Sequence, residues 1–355
     1  MKGQYKRYPY KKLKDICKEI FMETGIYEEG SEIIADCLVN TSARGVSTHG
    51  VTRMKMYTKS LTTNDINPNV KPEIIKEEPP IALIDGKNGM GHINSYKAVK
   101  KAIEIASEFG IASVGVKGST HFGAAAHYAL EAIKSDMIGI VLTNTPALMF
   151  PTGGIKKLIG NNPFAIGVPS HEDLGCELVL DMAISKVSNS MVRTKAKKAI
   201  ELGELLPEGW ILDSNGNPSK DPNDYSNGSI IPIGNHKGYG LAFMVDILTG
   251  VLMDSAFNGH VGRRHTPENE NVGHNMIVID PEAFMPIDTF KDKVSIMVNN
   301  IWNSGTADGV DKVYVPGEIE SRKEKESMKI GVPVAKSTVK EINEILNEFN
   351  ITKQL

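Results

Sequence analysis

The sequence predicts a mixed α/β protein in which helices at both chain ends flank a strand-rich middle. Apolar residues recur at helical spacing near both termini, whereas short apolar runs separated by glycine and proline fill the middle. The chain has 355 residues, of which 41% are hydrophobic and 23% are charged. This composition is ordinary for a globular protein, and the length suits about two domains of roughly 150 residues each.

The first 75 residues are predicted to be helical. One-sided apolar spacing over residues 13–21 predicts a first helix that ends near Gly25. A second helix is expected over residues 33–45, and a third is expected to begin close to Thr48. Residues 67–80 are rich in proline and charge, so we expect a connection there.

The middle of the chain alternates between two patterns. Short apolar runs predict strands at residues 81–84, 112–116, 138–142, 165–168, 177–180, 276–279 and 312–315. Longer apolar segments predict helices at residues 98–109, 123–133, 239–253, 290–302 and 339–349. Residues 207–225 are polar and rich in turn residues. The mixed-charge run 318–329 is expected to be a solvated surface segment, and the terminal helices are expected to pack together.

Composition and charge argue against several function classes. The formal net charge is −3 and the basic residues are scattered, unlike the basic patch of a nucleic-acid-binding protein. Cys17, Cys37 and Cys176 are not closely spaced, so we expect free thiols rather than disulfides or a zinc site. The N-terminus lacks an apolar signal core, and no stretch approaches 18 apolar residues. A cytoplasmic protein without membrane, nucleic-acid or metal partners is expected.

The segment STHGVTRMKMY, residues 47–57, is the first candidate site. On a helix that begins near Thr48, the side chains of His49, Arg53 and Tyr57 would share one face. A helix N-terminus favours a nearby anion, and an arginine can hold a carboxylate through two hydrogen bonds. Thr48, Arg53 and Tyr57 are therefore candidate substrate-binding residues beside an imidazole that can exchange protons near neutral pH. A surface helix capped by threonine is the alternative.

The segment GSTHFGAAAH, residues 118–127, is the second candidate. His121 would lie at a strand–helix junction, where loops commonly present functional groups. A capping or packing histidine is the alternative. His127 lies six residues further on, on a different helix face, so the two histidines are not expected to bind a metal together.

Three further segments carry weaker signals. Residues 143–162 could follow an extended ligand, and Asp181 closes an apolar run where a ribose contact would need a carboxylate. Lys237 lies beside glycines at a predicted helix start, which suits a phosphate or carboxylate. Each segment also fits an ordinary loop or cap. No G-x-G-x-x-G follows a strand to open a helix, so a bound dinucleotide would need another architecture.

Eight segments together resemble the malate/L-lactate dehydrogenase family, whose members include L-sulfolactate, ureidoglycolate and 2,3-diketogulonate oxidoreductases. They occur in the family's order over nearly the whole chain. The segments are RGVSTHGVTRMKMY, STHFGAAAHYA, TNTPALMFPTGG, GNNPFAIGVPS, LVLDMAIS, PEGWILD, GNHKGYGLAFMVDILTGVL and VPGE. This family is unrelated in fold to the Rossmann-type lactate and malate dehydrogenases.

The resemblance implies a non-Rossmann NAD(P)-binding domain with a mostly antiparallel sheet, over residues 76–318. It implies a helical substrate and dimer domain from residues 1–75, completed by residues 319–355. A homodimer is implied, as is hydride transfer between NAD, or NADP, and a small 2-hydroxy or 2-oxo acid. His49 and His121 match family histidines with acid/base roles. The implied cofactor-binding residues are Thr145, Asp181, Met182, Ala183, Ser185, Lys237, Gly238, Pro316, Gly317 and Glu318.

The chain departs from the family pattern at two places. Ser47 and Thr48 stand where the family often has Asp-Ser, and Ser190 and Met191 replace a common Gly-Lys pair. These changes bear on substrate fit and on the choice between NAD and NADP. A reductase of cyclic imino acids and a non-catalytic ligand-binding protein are the alternative functions. The sequence leaves open which acid is used and which histidine is the acid/base.

Overall fold

A computed structural model describes residues 4–264, 266 and 269–355. The helices in these residues are α1 Tyr10–Glu23, α2 Glu28–Ala43, α3 Met54–Thr62, α4 Gly91–Phe109, α5 Ala125–Ile133, α6 Asn189–Leu202, α7 Asp224–Asn227, α8 His236–Asp246, α9 Ile287–Trp302, α10 Glu318–Ile330 and α11 Lys336–Glu348. The strands are β1 Tyr5–Tyr8, β2 Glu73–Glu78, β3 Ile81–Asp85, β4 Ile111–Ser119, β5 Ile138–Thr143, β6 Phe164–Val168, β7 Leu178–Met182, β8 Ile211–Leu212, β9 Pro218–Ser219, β10 Ser229–Ile230, β11 Val272–Ile279 and β12 Val332–Ala335. The predicted mixed α/β class is confirmed.

A seven-stranded sheet forms the centre of the described structure. Its strand order is β2-β3-β4-β11-β5-β6-β7. The pairing of β3 with β4 is parallel, and the other five pairings are antiparallel. Helix α4 connects the parallel pair, as a crossover between parallel strands requires. The loop that carries His121 leaves the end of β4 and leads into α5.

Both chain ends contribute to one hydrophobic core. Its buried residues come from α1, α2 and α3, and also from β12 and α11 near the C-terminus. Strand β1 pairs antiparallel with β12, from Tyr5 opposite Ala335 to Tyr8 opposite Val332. Helices such as α1 and α11 bury one apolar face each, and full burial of a large apolar side chain contributes about 1.5–3 kcal/mol. The expected packing of the terminal helices is therefore observed.

A second core lies between the sheet and the helices α4 and α5. Small residues let α5 approach the sheet closely. A Cβ added at Gly139 would lie 2.7 Å from the Ala132 side chain, and one added at Gly167 would lie 2.9 Å from the Ala129 carbonyl oxygen. This close packing fixes the start of α5, and with it the preceding loop.

The third predicted helix begins later than expected. Two 3₁₀ turns, Ser47–His49 and Val51–Arg53, precede α3, which starts at Met54. Gly50 separates the turns in an extended conformation, and a Cβ there would lie 2.0 Å from the Ser42 hydroxyl oxygen. The expectation of one continuous helix face was wrong because the backbone must pass close to α2 at Gly50.

Other elements also differ from the sequence predictions. Strand β2 lies within the predicted connection; it is an exposed edge strand, so it lacks the expected apolar run. Helix α6 was missed because it buries only Val192, Ala196 and Ala199. Residues 312–315 form no strand, and the mixed-charge run forms α10. The three cysteines are free, as expected, and all three are buried. No helix in the described residues is long and apolar enough to cross a membrane.

Two fully buried histidines predict how stability depends on pH. Burial lowers the pKa of His92 and of His274 to about 3. The folded state therefore favours the neutral rings, whereas the unfolded chain takes up protons near pH 6.5. Stability from these groups is complete above pH 6.5 and is lost as the pH falls toward 3.

We predict that the free energy of unfolding falls between pH 6.5 and pH 4 in urea titrations. The His92→Phe variant should reduce this slope by up to about 1.4 kcal/mol per pH unit, because its site no longer takes up a proton on unfolding. The same change at the exposed His260 should leave the slope as it is. An unchanged slope in the His92 variant contradicts the assignment.

Candidate active site

A cleft of about 710 Å³ lies where the helical core meets the sheet. The end of α2, the two 3₁₀ turns, the loop before α5, the ends of β5 and β7, and the starts of α6 and α10 all contribute to its lining. Its size falls within the range usual for small-molecule sites. The two candidate segments of the sequence therefore open into the same space.

The rings of His49 and His121 stack in this cleft. Their centroids are 5.6 Å apart and the planes differ by 9°. His49 belongs to the first 3₁₀ turn, and His121 belongs to the loop between β4 and α5. Thr48 Oγ1 lies 3.0 Å from His49 Nδ1. The structure thus brings together two histidines that are far apart in the sequence.

Tyr57 lies behind His121 rather than on the cleft surface. Its side chain is fully buried, and its hydroxyl oxygen lies 2.6 Å from His121 Nδ1. The Gly123 backbone N–H also donates to Nδ1, at 3.3 Å. The sequence proposed Tyr57 as a substrate-binding residue, but its contact in the structure is with the histidine.

Arg53 faces the cleft from the second 3₁₀ turn. Its Nε donates to the Thr48 carbonyl oxygen at 2.5 Å, which orients the guanidinium. Within the described residues, Arg53, Arg193 and Arg263 line the cleft without an ion pair to a carboxylate. Unpaired arginines gathered in one cleft create a positive potential that attracts an anion.

Glu270 and Arg264 form a pair that the sequence did not reveal. Glu270 Oε1 lies 2.7 Å from Arg264 Nε, and its Oε2 accepts a hydrogen bond from the His121 backbone N–H at 2.7 Å. Glu270 is almost completely buried. Two adjacent arginines, Arg263 and Arg264, could have indicated from the sequence that this segment contributes to a site. No spacing rule, however, links them to the segment that contains His121.

Both stacked histidines are neutral at pH 7 in this structure. Burial, together with the charges of Arg53 and Arg264, lowers the pKa of His49 to about 4. Burial also lowers the pKa of His121 well below its ordinary value, again with help from Arg264. An imidazolium at either position is therefore disfavoured.

Several residues expected to bind a cofactor line this cleft, namely Thr145, Asp181, Met182, Ala183, Pro316 and Gly317. Asp181 Oδ2 accepts a hydrogen bond from the Ala126 N–H at 3.0 Å, and desolvation raises the pKa of Asp181 to about 6. The N-terminus of α6 also opens into the cleft beside Ser188 and Ser190. Its free N–H groups favour an anion such as a phosphate. These residues fit a nucleotide.

The other expected cofactor residues lie elsewhere. Ser185 is buried and donates to the Val187 carbonyl oxygen. The Glu318 carboxylate is buried, and it accepts from the Trp302 indole at 2.9 Å and pairs with Lys312. Lys237 is exposed at the start of α8.

Gly238 packs against residue 233, whose carbonyl oxygen would lie 2.1 Å from an added Cβ. Neither Lys237 nor Gly238 lines the cleft. Within the described residues, no cluster of three or more His, Cys, Asp or Glu side chains could hold a metal ion.

The known proteins that this chain resembles are dehydrogenases. The family model described as malate/L-lactate dehydrogenase matches residues 8–343. A malate dehydrogenase of Pyrococcus abyssi is 36% identical, with 98% of this chain and 96% of the relative covered. A malate/(S)-sulfolactate dehydrogenase of Methanothermus fervidus is 37% identical, with 94% and 95% covered. The crystal structure of malate dehydrogenase from Entamoeba histolytica has a TM-score of 0.92 at 30% identity, covering 99% of this chain and 100% of that chain.

The buried Arg44 at one wall of the cleft yields a stability prediction. Arg44, at the end of α2, lies 2.5 Å from Glu324 on α10 and 3.4 Å from Glu177 before β7. Removing it leaves these carboxylates without their cation. Breaking a fully buried pair costs about 3–5 kcal/mol, but solvent reaches the partly exposed Glu177 and Glu324 and offsets part of that cost. We predict a loss of about 1–3 kcal/mol for Arg44→Met in urea unfolding.

The matched control is Arg7→Met. Arg7 lies 2.5 Å from Glu326, but both side chains are exposed. Exposed pairs contribute about 0–1 kcal/mol, so this variant should stay within that range. Equal losses in the two variants would show that the Arg44 pair does not link the helical core to the sheet.

Proposed function

The chain belongs to the malate/L-lactate dehydrogenase family, and from this premise we propose that it is an NAD(P)-dependent dehydrogenase of small 2-hydroxy acids. One observation carries the proposal. His49 and His121 stack in a cleft that also contains Arg53 and most of the expected cofactor residues. A proton-exchanging group, an anion site and a nucleotide site in one space are what the reaction requires.

Arg53 holds the substrate carboxylate in this proposal. Its guanidinium has no carboxylate partner among the described residues, and it can form two parallel hydrogen bonds to a carboxylate. Thr48, whose carbonyl orients Arg53, stands at the same edge of the cleft. The two curated relatives described above are named for malate and for sulfolactate, which are small acids of this kind.

His121 exchanges a proton with the substrate oxygen at C2. In oxidation it takes the hydroxyl proton, and in reduction it supplies a proton to the carbonyl oxygen. The bound nicotinamide supplies or accepts the hydride. His49 lies against the other histidine and helps to exclude water from one side of the ring. We assign the acid/base role to His121 because His121, unlike His49, also contacts a buried hydroxyl group at Nδ1.

The cofactor would lie along Thr145, residues 181–183 and residues 316–317. In this proposal Asp181 would accept hydrogen bonds from ribose hydroxyls, and the N-terminus of α6 would receive a phosphate. Ser190 and Met191 stand at this terminus where the family often has Gly-Lys, so Arg193 is the cation of α6 that lines the cleft. NAD is the expected cofactor, and NADP is the alternative.

We further propose a cytoplasmic homodimer. Residues 1–75 with 319–355 would form the helical domain, and residues 76–318 the cofactor domain. The α8 helix and the π turn that follows it, Ile247–Val251, expose apolar side chains. These are Leu241, Phe243, Met244, Leu248, Val251 and Leu252. A contiguous exposed apolar surface commonly marks an interface with another protein, and a second copy of the chain would cover it here.

The proposed activity predicts the behaviour of the histidine variants. The wild-type protein should oxidise NADH, or NADPH, in the presence of a small 2-oxo acid. The His121→Ala variant should lose at least about 100-fold in turnover, since a positioned acid/base contributes roughly 10²–10⁴-fold. Absorbance at the nicotinamide band measures both rates, and His260→Ala is the control at an exposed site.

The substrate panel contains pyruvate, oxaloacetate, sulfopyruvate and a cyclic imine. Turnover of the imine alone would favour the imino-acid reductase alternative. The dehydrogenase proposal would be contradicted if no compound were turned over with either NADH or NADPH. Near-normal turnover by both the His121→Ala and the His49→Ala variants would refute the assignment of these histidines to the catalytic site.

The apolar surface on α8 predicts a change in molecular mass. The wild-type protein should elute with twice the mass of the chain in size-exclusion chromatography with light scattering. The Met244→Glu variant should elute as a monomer, because it places a charge in the proposed interface. Met328→Glu, at an equally exposed methionine on α10, should stay a dimer. A wild-type monomer would contradict the proposal.

A further inference from the structure

The two hydrogen bonds at His121 Nδ1 determine where the imidazole carries its proton. The Gly123 backbone N–H lies 3.3 Å from Nδ1, and a backbone N–H can only donate. Nδ1 must therefore present its lone pair. The Tyr57 hydroxyl, at 2.6 Å from the same nitrogen, must then donate as well. A neutral imidazole carries one N–H, so the hydrogen is on Nε2.

We propose that His121 acts as the neutral Nε2–H tautomer and that Tyr57 supplies a proton to Nδ1 as His121 gives its Nε2 proton to the substrate. This inference rests on the proposed function. It adds a second proton-carrying residue, which the substrate never touches. Tyr57 is thus a relay group behind the catalytic histidine.

In the reduction of a 2-oxo acid, the hydride that a reduced nicotinamide would supply adds to the carbonyl carbon, and the carbonyl π electrons form the new O–H bond with the Nε2 proton. The electrons of the broken N–H bond remain on Nε2, while Nδ1 takes the Tyr57 proton. The imidazole stays neutral with its tautomer reversed, and Tyr57 becomes a phenolate. Oxidation of the hydroxy acid runs the same transfers backward.

The relay resets through the cleft after the product leaves. Tyr57 is fully buried, so it cannot collect a proton from solvent directly. The Nδ1 proton of His121 returns to the phenolate, and Nε2 takes a proton from a water molecule in the cleft, which His121 lines. The hydroxide left behind passes to the solvent, so each reduction consumes one proton from solution. The resting arrangement, with both donors on Nδ1, is then restored.

The surroundings disfavour a charged histidine. Burial and the positive charge of Arg264 lower the pKa of His121, so an imidazolium is costly at this position. A phenolate at Tyr57 would lie near a cation, because the Arg264 guanidinium carbon lies 6.0 Å from the centre of the Tyr57 ring. Burial nevertheless raises the pKa of Tyr57 overall, and Arg264 and Arg53 offset this only in part. The phenolate is therefore only a transient species.

Packing fixes the position of Tyr57 relative to the loop that carries His121. The Tyr57 ring meets the buried His92 ring edge-on, with centroids 4.9 Å apart. Gly123 has a φ of 85°, and a Cβ at this position would lie 2.8 Å from His92 Nε2. A residue with a side chain there would push the loop away and break the bond to Nδ1. The titratable and charged groups that face the pair are His49, Arg53, His92, Arg264, Glu270 and Cys37.

The tautomer can be measured without any substrate or cofactor. ¹⁵N NMR of the full chain labelled at histidine distinguishes protonated from unprotonated ring nitrogens, and the spectrum of His121→Gln assigns the signals. At pH 7 we expect an unprotonated Nδ1 and a protonated Nε2. A protonated Nδ1, as the other tautomer or as imidazolium, overturns the proposal. This measurement does not depend on the proposed function, because it requires no turnover of a substrate.

The kinetic test uses Tyr57→Phe, which keeps the ring against His92 and removes the hydroxyl. We expect kcat at pH 8 to fall at least about 100-fold, with KM for the 2-oxo acid within about threefold. The loss should shrink as the pH falls from 8 to 5, because the small imidazolium fraction, which can replace the relay, rises about tenfold per pH unit. Tyr10→Phe is the matched control: this hydroxyl bonds to Asp36 at 3.2 Å in the helical core, away from the cleft.

Two kinetic outcomes would overturn the relay. One is a Tyr57→Phe kcat within about threefold of the wild type. The other is an equal loss at every pH, which indicates a purely structural role. If Tyr57→Phe does not fold, or if no 2-oxo acid is turned over, the tautomer measurement on the wild-type protein decides. The kinetic test and the tautomer measurement together therefore distinguish a failure of the proposed function from a failure of the proposed relay.

Discussion

The position of the His121 ring is the constraint on which the rest of the site depends. Three hydrogen bonds hold this residue, and they come from three different parts of the chain. Tyr57 on α3 and the Gly123 N–H meet Nδ1, while Glu270 accepts from the backbone N–H of His121. Because α3 belongs to the helical core, whereas Gly123 and Glu270 lie in loops next to the sheet strands β4 and β11, the ring is oriented only when both parts are in place.

The packing of the fold maintains that arrangement. Glycines in β5 and β6 let α5 lie close to the sheet, so the loop before α5 has a fixed origin. Arg44 connects α2 to α10 and to the residue before β7. The cleft lies between these contacts, and Arg53, Arg193 and Arg263 line the same space as the stacked histidines. The position of the cleft and the positive charge of its arginines therefore favour a small anion next to a neutral imidazole.

The sequence predicts those parts of the fold in which a local pattern decides the structure. Helices α1, α2 and α11 have one-sided apolar spacing, and buried strands such as β5 are short apolar runs. Strand β2 and helix α6 were missed because they bury few side chains, and residues 312–315 were wrongly assigned to a strand. Gly50 interrupts the predicted helix because of a contact with α2 that no local pattern contains.

The candidate site follows the same rule. The motifs around His49 and His121 predicted that both residues matter, and the structure brings the rings together. The contact of Tyr57 with His121 and the pairing of Glu270 with Arg264 could not be predicted, because each joins residues far apart in the sequence. Lys237 and Gly238 were expected at the cofactor but lie outside the cleft, so their assignment to the cofactor remains a prediction.

The most direct measurement is a crystal structure of the protein with NADH and oxamate, a 2-oxo acid analogue that is not reduced. The account predicts the oxamate carboxylate on Arg53 and its carbonyl oxygen at about 3 Å from His121 Nε2. The nicotinamide should lie on the open side of that carbonyl. Oxamate bound away from Arg53, or a His121 ring turned out of the cleft, would contradict the account.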